Sequence, residues 1–132
     1  MRLILGGFCQ GKLEYLISEG KIDKKLVVDG ADCDYDAPFY APVLNHLHLL
    51  IRRMEQEGKN QQDILNIFLD VVEKNPDLII LCDEVGCGII PLAPEERQWR
   101  ETVGRVCCAL VKKSVRVDRV VSGIGTTIKE ET

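Results

Sequence analysis

The stretch "LILGGFCQGKLEYLI", residues 3–17, decides the fold, because it joins an apolar run, a glycine-rich loop and a helical pattern. Residues 2–6 form a short, mostly apolar run that ends in glycine, which is typical of a buried parallel strand. Residues 11–19 predict a short helix that Gly20 closes as a C-cap. Gly6, Gly11 and Lys12 have the G-x4-G-K spacing of a Walker A loop, in the strand–loop–helix context that this motif requires.

This spacing predicts a phosphate-binding loop, although an ordinary glycine-rich turn with a solvated lysine is the alternative. The N–H groups of the tight loop would face the phosphates, and Lys12 would reach the β and γ oxygens. Leu13 stands where a Ser or Thr hydroxyl normally holds Mg²⁺, so waters, phosphates and neighbouring acids would have to hold the metal. The predicted nucleotide-binding residues are Gly6, Gly7, Phe8, Cys9, Gln10, Gly11 and Lys12.

Strand-like and helical patterns alternate along the rest of the chain. Further strands are predicted over residues 25–30, 78–84, 117–123 and 126–130, and helices over 41–56, over 61–74 and from Pro94 onward. Such alternation is typical of a parallel sheet covered on both faces. The fold class is therefore α/β: a three-layer parallel sheet of four to five strands with helices on both faces, P-loop NTPase-like, as a single domain over 1–132.

Acidic side chains follow two of the predicted strands. Asp29 ends "LVVD", and Asp83 and Glu84 end "LIILCDE". Ligands of open parallel sheets bind beyond the carboxyl ends of the strands, and an apolar strand that delivers a carboxylate resembles a Walker B element. We predict Asp29 and Asp83 as metal residues and Lys12 and Glu84 as catalytic residues, with Mg²⁺ and ATP or GTP as the cofactors. The alternative is that these acids simply meet solvent.

Composition limits the class of partner and the compartment. The net charge is −4 with dispersed bases, which argues against a nucleic-acid partner. No apolar run approaches the roughly 18 to 20 residues of a membrane helix. The predicted strand begins directly after Met1, so we expect no secretory signal and a cytoplasmic protein. Most of the six cysteines are expected to be small buried hydrophobes. His46 and His48 are expected on opposite flanks of a helix, in solvated or packing roles.

The segment "CDEVGCGIIPLAPEERQWRETVGRVCCALVKKSVRVDRVVSGIGTTIK", residues 82–129, resembles the adenosylcobinamide kinase / adenosylcobinamide-phosphate guanylyltransferase family of cobalamin biosynthesis. The family signature EVGxGIxP matches Glu84, Val85, Gly86, Gly88, Ile89 and Pro91. A looser match joins Arg97, Trp99, Arg100, Glu101, Gly104 and Arg105 to its R-x-FRD-x-x-GR motif. The resemblance implies a P-loop sheet, a homotrimer, a nucleoside triphosphate and a corrinoid as ligands, and phosphorylation of adenosylcobinamide followed by GMP transfer through a histidine intermediate.

The chain departs from the family pattern in four places. Leu13 and Gln10 alter the P-loop, and Cys107-Cys108 stand where the family usually has Asn-Gln. Only residues 13–24 separate the loop from the second predicted strand, where the family has a long segment with the guanylylated histidine. Two interpretations stay open: a kinase-like member without guanylyl transfer, or a catalytically degenerate accessory or regulatory protein that binds a nucleotide or corrinoid. A thiol sensor based on Cys9 is a weaker third.

Overall fold

The computed structural model describes residues 1–20, 22–85 and 93–131. The strands are β1 (Arg2–Gly6), β2 (Val27–Asp29), β3 (Val43–Asn45), β4 (Ile79–Asp83), β5 (Arg116–Val121) and β6 (Ile124–Glu130). The helices are α1 (Lys12–Ser18), α2 (Leu47–Gln56), α3 (Gln61–Lys74) and α4 (Pro94–Lys113), with short 3-10 turns at Lys24–Leu26 and Ala37–Phe39.

The described strands form one sheet in the order β2-β3-β4-β1-β5-β6. Neighbouring pairs from β2 to β5 are parallel, and β6 runs antiparallel to β5. The predicted α/β class is confirmed, but the sheet has six strands instead of four to five. The antiparallel edge arises because Ser122 and Gly123 both have positive φ, 50° and 79°, as in the two-residue turns that join hairpins.

Side chains alternate between the two faces of the sheet and build a core on each. Leu3, Leu44 and Ile80 pack with the apolar faces of α2, α3 and α4. Their neighbours Ile4, Val43 and Leu81 pack on the opposite face with Leu16 of α1. The molecule therefore has three layers, as the alternation of strands and helices predicted.

The helix predicted over residues 41–56 is wrong in its first part. Val43 and Leu44 belong to β3 and are both completely buried, on opposite faces of the sheet. Helical periodicity could not separate them from α2, because a three-residue buried strand is too short to show a period. His46, with a φ of 59°, turns the backbone between β3 and α2. The strand predicted over 25–30 is also shorter, because residues 24–26 form a 3-10 turn.

The amino-terminal edge of the sheet is held by a buried carboxylate. Asp118 of β5 is completely buried and accepts hydrogen bonds from Arg2, from Arg116 Nε at 3.0 Å and from Thr127 Oγ1 at 2.8 Å. Arg2 also pairs with Glu19 Oε1 at 2.7 Å. These contacts join β1, β5 and β6 to the end of α1. Among the described residues, no helix is both long enough and apolar enough to cross a membrane.

Candidate functional site

A cavity of about 560 Å³ lies at the carboxyl edge of the sheet, where β1, β3 and β4 end. One wall is the glycine-rich loop after β1, and the other is formed by the start of α2 and part of α4. The described residues that line it are Phe8, Cys9, Gln10, Gly11, Lys12, Leu13, Glu14, Asn45, His46, His48, Leu49, Arg52, Asp83, Val85 and Trp99.

Glycines and Gln10 determine the shape of the loop. A Cβ on Gly6 would lie 2.6 Å from the Val120 carbonyl oxygen, so no other residue fits there without displacing β5. Gly11 has a φ of 84°, a left-handed conformation that glycine adopts without strain. Gln10 binds the β5–β6 turn twice: its carbonyl accepts from Gly123 N at 2.8 Å and its side-chain oxygen from Ser122 N at 2.7 Å. The long side chain thus fixes the loop to the neighbouring hairpin.

Lys12 and Asp83 form an ion pair in the wall of the cavity. Lys12 Nζ lies 2.6 Å from Asp83 Oδ1 and donates to the Gly7 carbonyl oxygen at 3.0 Å. Both side chains are largely buried, with exposed fractions of 8% and 14%. The pair forms because β1 and β4 are neighbours in the sheet, in a register that sets Gly6 opposite Asp83. The structure therefore brings Lys12 and Asp83 into contact, and the predicted residues Phe8, Cys9, Gln10 and Gly11 line the same cavity.

His48 supports the other side of the Asp83 carboxylate. Its Nδ1 accepts from the Asp83 backbone N–H at 3.3 Å, and its Nε2 lies 3.3 Å from Asp83 Oδ2. Burial lowers the pKa of His48 below its ordinary value of 6.5, with Asp83 acting in the opposite direction. The ring is therefore neutral near pH 7, and because Nδ1 is an acceptor, the proton is on Nε2 and faces Asp83.

The sequence-based placement of the two histidines was wrong. His46 precedes α2 instead of lying within it, and the two rings contact each other edge to face with centroids 5.7 Å apart. A signal was available in Pro42 and in the strand-like "VLN" that follows it, since proline disfavours a helical conformation at the preceding residue.

Asp29, the second predicted metal residue, binds His46. Asp29 Oδ1 accepts from Ala31 N at 2.9 Å and lies 2.8 Å from His46 Nδ1. Burial raises the pKa of Asp29, but hydrogen bonds from Ala31 and His46 outweigh it and leave the pKa lower than usual. Strand β3 separates β2 from β4, and Asp29 is not among the described residues that line the cavity. No group of three or more metal-ligating side chains occurs among the described residues.

Glu84, the second predicted catalytic residue, faces β5. Its carboxylate oxygens accept from Arg119 Nε at 2.8 Å and Nη2 at 3.1 Å. Its backbone N–H donates to the Gly6 carbonyl oxygen at 2.9 Å, which extends the pairing of β4 with β1. Glu84 is absent from the described cavity lining, whereas its neighbour Asp83 is part of it.

The far wall of the cavity contains an aromatic and a cationic side chain that sequence analysis did not select as site residues. Trp99 Nε1 donates to the His48 carbonyl oxygen at 2.8 Å, which attaches α4 to the start of α2. The Arg52 guanidinium lies over the Trp99 ring, 3.9 Å from its centroid, and pairs with Glu96 at 2.7 Å. The guanidinium is thus stacked on an indole and paired with a carboxylate, and both Arg52 and Trp99 line the cavity.

A family model described as cobinamide kinase / cobinamide phosphate guanyltransferase matches residues 41–128, well over half of the chain. The chain belongs to this family. It therefore has a cobinamide kinase/guanyltransferase-like role in cobalamin biosynthesis. The match begins after the loop at residues 6–12, and the family signature at 84–91 lies mostly outside the described residues. No curated protein matches the chain.

Proposed function

We propose that the protein is a nucleotide-dependent kinase of the cobinamide type, and that it has lost guanylyl transfer through a histidine intermediate. The observation that carries the proposal is the Lys12–Asp83 ion pair in the wall of the cavity, at the mouth of a strand–loop–helix phosphate motif. Family membership supports a corrinoid acceptor. The short segment over residues 13–24 supports the loss of guanylyl transfer.

The triphosphate of ATP or GTP would bind by displacing the Asp83 carboxylate from the Lys12 ammonium group. Lys12 is largely buried and bound to a carboxylate, so phosphate oxygens compete with Asp83 for the same ammonium group. Loop residues 8–12 line the same cavity, and their backbone N–H groups would contribute to holding the phosphates. Trp99 and Arg52 on the far wall are available to the rest of the nucleotide or to the acceptor.

Displacement of Lys12 leaves Asp83 free to hold the metal. Mg²⁺ is commonly bound by one or two carboxylates together with substrate phosphates, so the Asp83 carboxylate fits this ion without the hydroxyl that Leu13 lacks. When bound, Mg²⁺ supplies charge neutralisation on the phosphates. His48 Nε2–H faces Asp83 Oδ2 and keeps the carboxylate oriented toward the cavity.

Phosphoryl transfer depends mainly on positioning and charge neutralisation, which Lys12 and Asp83 would provide here. The part predicted for Glu84, orientation of the acceptor hydroxyl, remains a proposal, as does a metal role for Asp29. The homotrimer and the cytoplasmic location also remain predictions.

The alternative is a nucleotide- or corrinoid-binding accessory protein without catalysis. Leu13 favours it, because this side chain lines the cavity and packs against the core cluster around Leu16, where a kinase would present a metal-binding hydroxyl. The kinase and a nucleotide-binding accessory protein both predict that nucleotide binds, and they differ in what Mg²⁺ and the acceptor do.

Calorimetric titration with ATP and with GTP, each with and without Mg²⁺, tests the proposal. We expect Mg²⁺-dependent binding that Lys12→Met abolishes and that Lys24→Met, at an exposed lysine, leaves unchanged. A kinase assay with cobinamide follows. Binding that ignores Mg²⁺, without turnover, would support the accessory role. The absence of any nucleotide binding to the folded wild-type chain would refute the kinase and leave an accessory protein that binds a corrinoid.

Leu13→Ser separates the two functions further, because it restores the hydroxyl at the metal position. A gain in Mg²⁺-dependent turnover would identify an impaired kinase site. Unchanged turnover despite tight nucleotide binding would support the accessory role. Leu13 is only partly buried, so the substitution should cost about 1 kcal/mol of apolar contact and leave the chain folded. Circular dichroism checks this.

A further inference from the structure

Two cysteines lie side by side behind the Lys12–Asp83 pair. Cys82, the residue before Asp83 on β4, is completely buried, and Cys107 of α4 is partly buried. Their Sγ atoms are 3.8 Å apart and share a hydrogen bond. Both side chains belong to the core formed by the sheet with α2, α3 and α4, so their separation is set by the packing of α4 on β4. The prediction that most cysteines are buried is wrong, since among the five cysteines that the structure describes Cys82 alone is fully buried, Cys33 and Cys107 are partly buried, and Cys9 and Cys108 are exposed.

We propose that Cys82 and Cys107 form an oxidation site, in which the dithiol closes reversibly to a disulfide when hydrogen peroxide is the oxidant. A disulfide requires the sulfur atoms to approach to about 2.05 Å, which is a movement of somewhat under 2 Å from their present positions. The two residues are on different elements, so rotation of the side chains and a small shift of α4 share this movement. The inference does not depend on nucleotide binding or on kinase activity.

Exposure determines the order of the reaction. Cys107 is the thiol that peroxide reaches first, since Cys82 has no exposed surface. The hydrogen bond between the two thiols lowers the pKa of Cys107, although burial acts in the opposite direction. A lower pKa favours the nucleophilic thiolate. Cys107 sulfur attacks the peroxide: an S–O bond forms, the O–O bond breaks, and hydroxide leaves and is protonated to water.

Cys82 completes the disulfide from inside the protein. Its sulfur attacks the sulfenic sulfur of Cys107: the S–S bond forms, the S–O bond breaks, and the departing hydroxide takes the Cys82 proton to give a second water. Two thiols thereby lose two electrons and two protons, and one peroxide is reduced to two waters. Because Cys82 needs no solvent access for this step, its burial does not prevent it.

Peptide mapping tests the site. Because each of the two relevant tryptic peptides contains two cysteines, the experiment needs a variant in which the second cysteine of each peptide is replaced. The tryptic peptide over residues 75–97 contains Cys82 and Cys87, and that over 106–112 contains Cys107 and Cys108. A reference chain with Cys87→Ser and Cys108→Ser keeps four of the six cysteines and allows a single link between these peptides. It is treated with hydrogen peroxide, alkylated with iodoacetamide, and digested. Addition of Cys107→Ser to this chain provides the matched test variant.

We expect the oxidised reference chain to lose two alkylatable thiols, to give the linked peptide and to recover both thiols after dithiothreitol. The Cys107→Ser chain should keep its remaining thiols at the same peroxide concentration. Absence of the linked peptide in the reference chain would overturn the proposal, and so would a link between two molecules. In the chain that carries Cys82→Ala as its single substitution, peroxide should leave Cys107 as a sulfenic acid, which dimedone labels. If this variant does not fold, the reference chain decides alone.

Discussion

The two carboxylate oxygens of Asp83 have different partners. The negative charge of Asp83 therefore affects nucleotide binding in two ways. Oδ1 lies 2.6 Å from the Lys12 ammonium, and Oδ2 lies 3.3 Å from His48 Nε2. An incoming triphosphate must compete with Oδ1, while a metal ion would benefit from the same oxygen. The charge of Asp83 therefore opposes nucleotide binding without metal and supports it with metal.

Asp83→Asn should for that reason shift the two affinities in opposite directions. We expect metal-free nucleotide to bind more tightly, by about tenfold or about 1.4 kcal/mol, because phosphates no longer displace a carboxylate from Lys12. The gain in affinity on adding Mg²⁺ should disappear. Titration calorimetry with and without Mg²⁺ measures both changes.

Glu84→Gln is the matched control, since this neighbouring acid is bound to Arg119 and is absent from the described cavity lining. Both affinities should stay within about twofold of the wild type, which is less than about 0.5 kcal/mol. If Glu84→Gln lost the Mg²⁺ dependence of nucleotide binding and Asp83→Asn kept it, Glu84 and not Asp83 would be the metal-binding acid.

Among the secondary-structure elements, the order of the strands and the short strand β3 are what the sequence did not predict. The loop after β1 and the acids at strand ends were predicted because their chemistry is local to the chain. The Lys12–Asp83 pair depends on β4 being the neighbour of β1, and strand order is not encoded in local pattern. The sequence pattern does not reveal the role of His48, because it predicts helix over residues 43–45, which form β3, and so gives the following histidines the wrong directions.

A glycine next to β2 tests the packing of this region. A Cβ on Gly30 would lie 2.3 Å from the His46 carbonyl oxygen and 3.0 Å from Leu50 Cβ, so the turn after β3 would have to move. Gly30→Ala should lower the free energy of unfolding by about 1–3 kcal/mol, the usual cost of overpacking. Urea unfolding followed by circular dichroism measures the change.

Gly104 provides the opposite case within α4. A Cβ there meets nothing within 4 Å, and its backbone is helical. Gly104→Ala should therefore stabilise the protein by about 0.5–1 kcal/mol through helix propensity. Equal effects of the two substitutions would show that the approach of Gly30 to His46 does not constrain the fold.

In the molecule as a whole, the carboxyl and amino edges of the sheet have different roles. The carboxyl edge contains the cavity, with a lysine–carboxylate pair that a ligand can exchange. The amino edge contains the completely buried Asp118, whose partners come from the first strand and the last two. Contacts between chain segments more than a hundred residues apart, such as Arg2 with Asp118, hold the ends of the chain together and leave the opposite edge free to bind.

Asp118 should therefore control stability toward acid. Burial raises its pKa, but hydrogen bonds from Arg2, Thr127 and Arg116 outweigh it and leave the pKa below the ordinary value of 3.8. A carboxylate whose pKa is lower in the folded state than in the unfolded chain contributes stability that is fully present above the unfolded value of 3.8. This stability is lost as the pH falls below 3.8 and through the lower pKa of the folded state. Asp118→Asn should cost about 3 kcal/mol at neutral pH, since it leaves Arg2 and Arg116 without their buried anion.

Urea unfolding at a series of pH values from neutral to below 3.8 measures the difference in the free energy of unfolding between wild type and Asp118→Asn as a function of pH. The gap between wild type and Asp118→Asn should be constant above about pH 5 and should narrow as the pH falls below 3.8, because the unfolded wild-type chain then binds a proton at Asp118 that the folded protein binds only at a lower pH. Asp34→Asn, at an exposed aspartate, should stay within about 0.5 kcal/mol of the wild type throughout. A gap that persisted unchanged in acid would mean that the shape of the side chain, and not its charge, holds the amino edge.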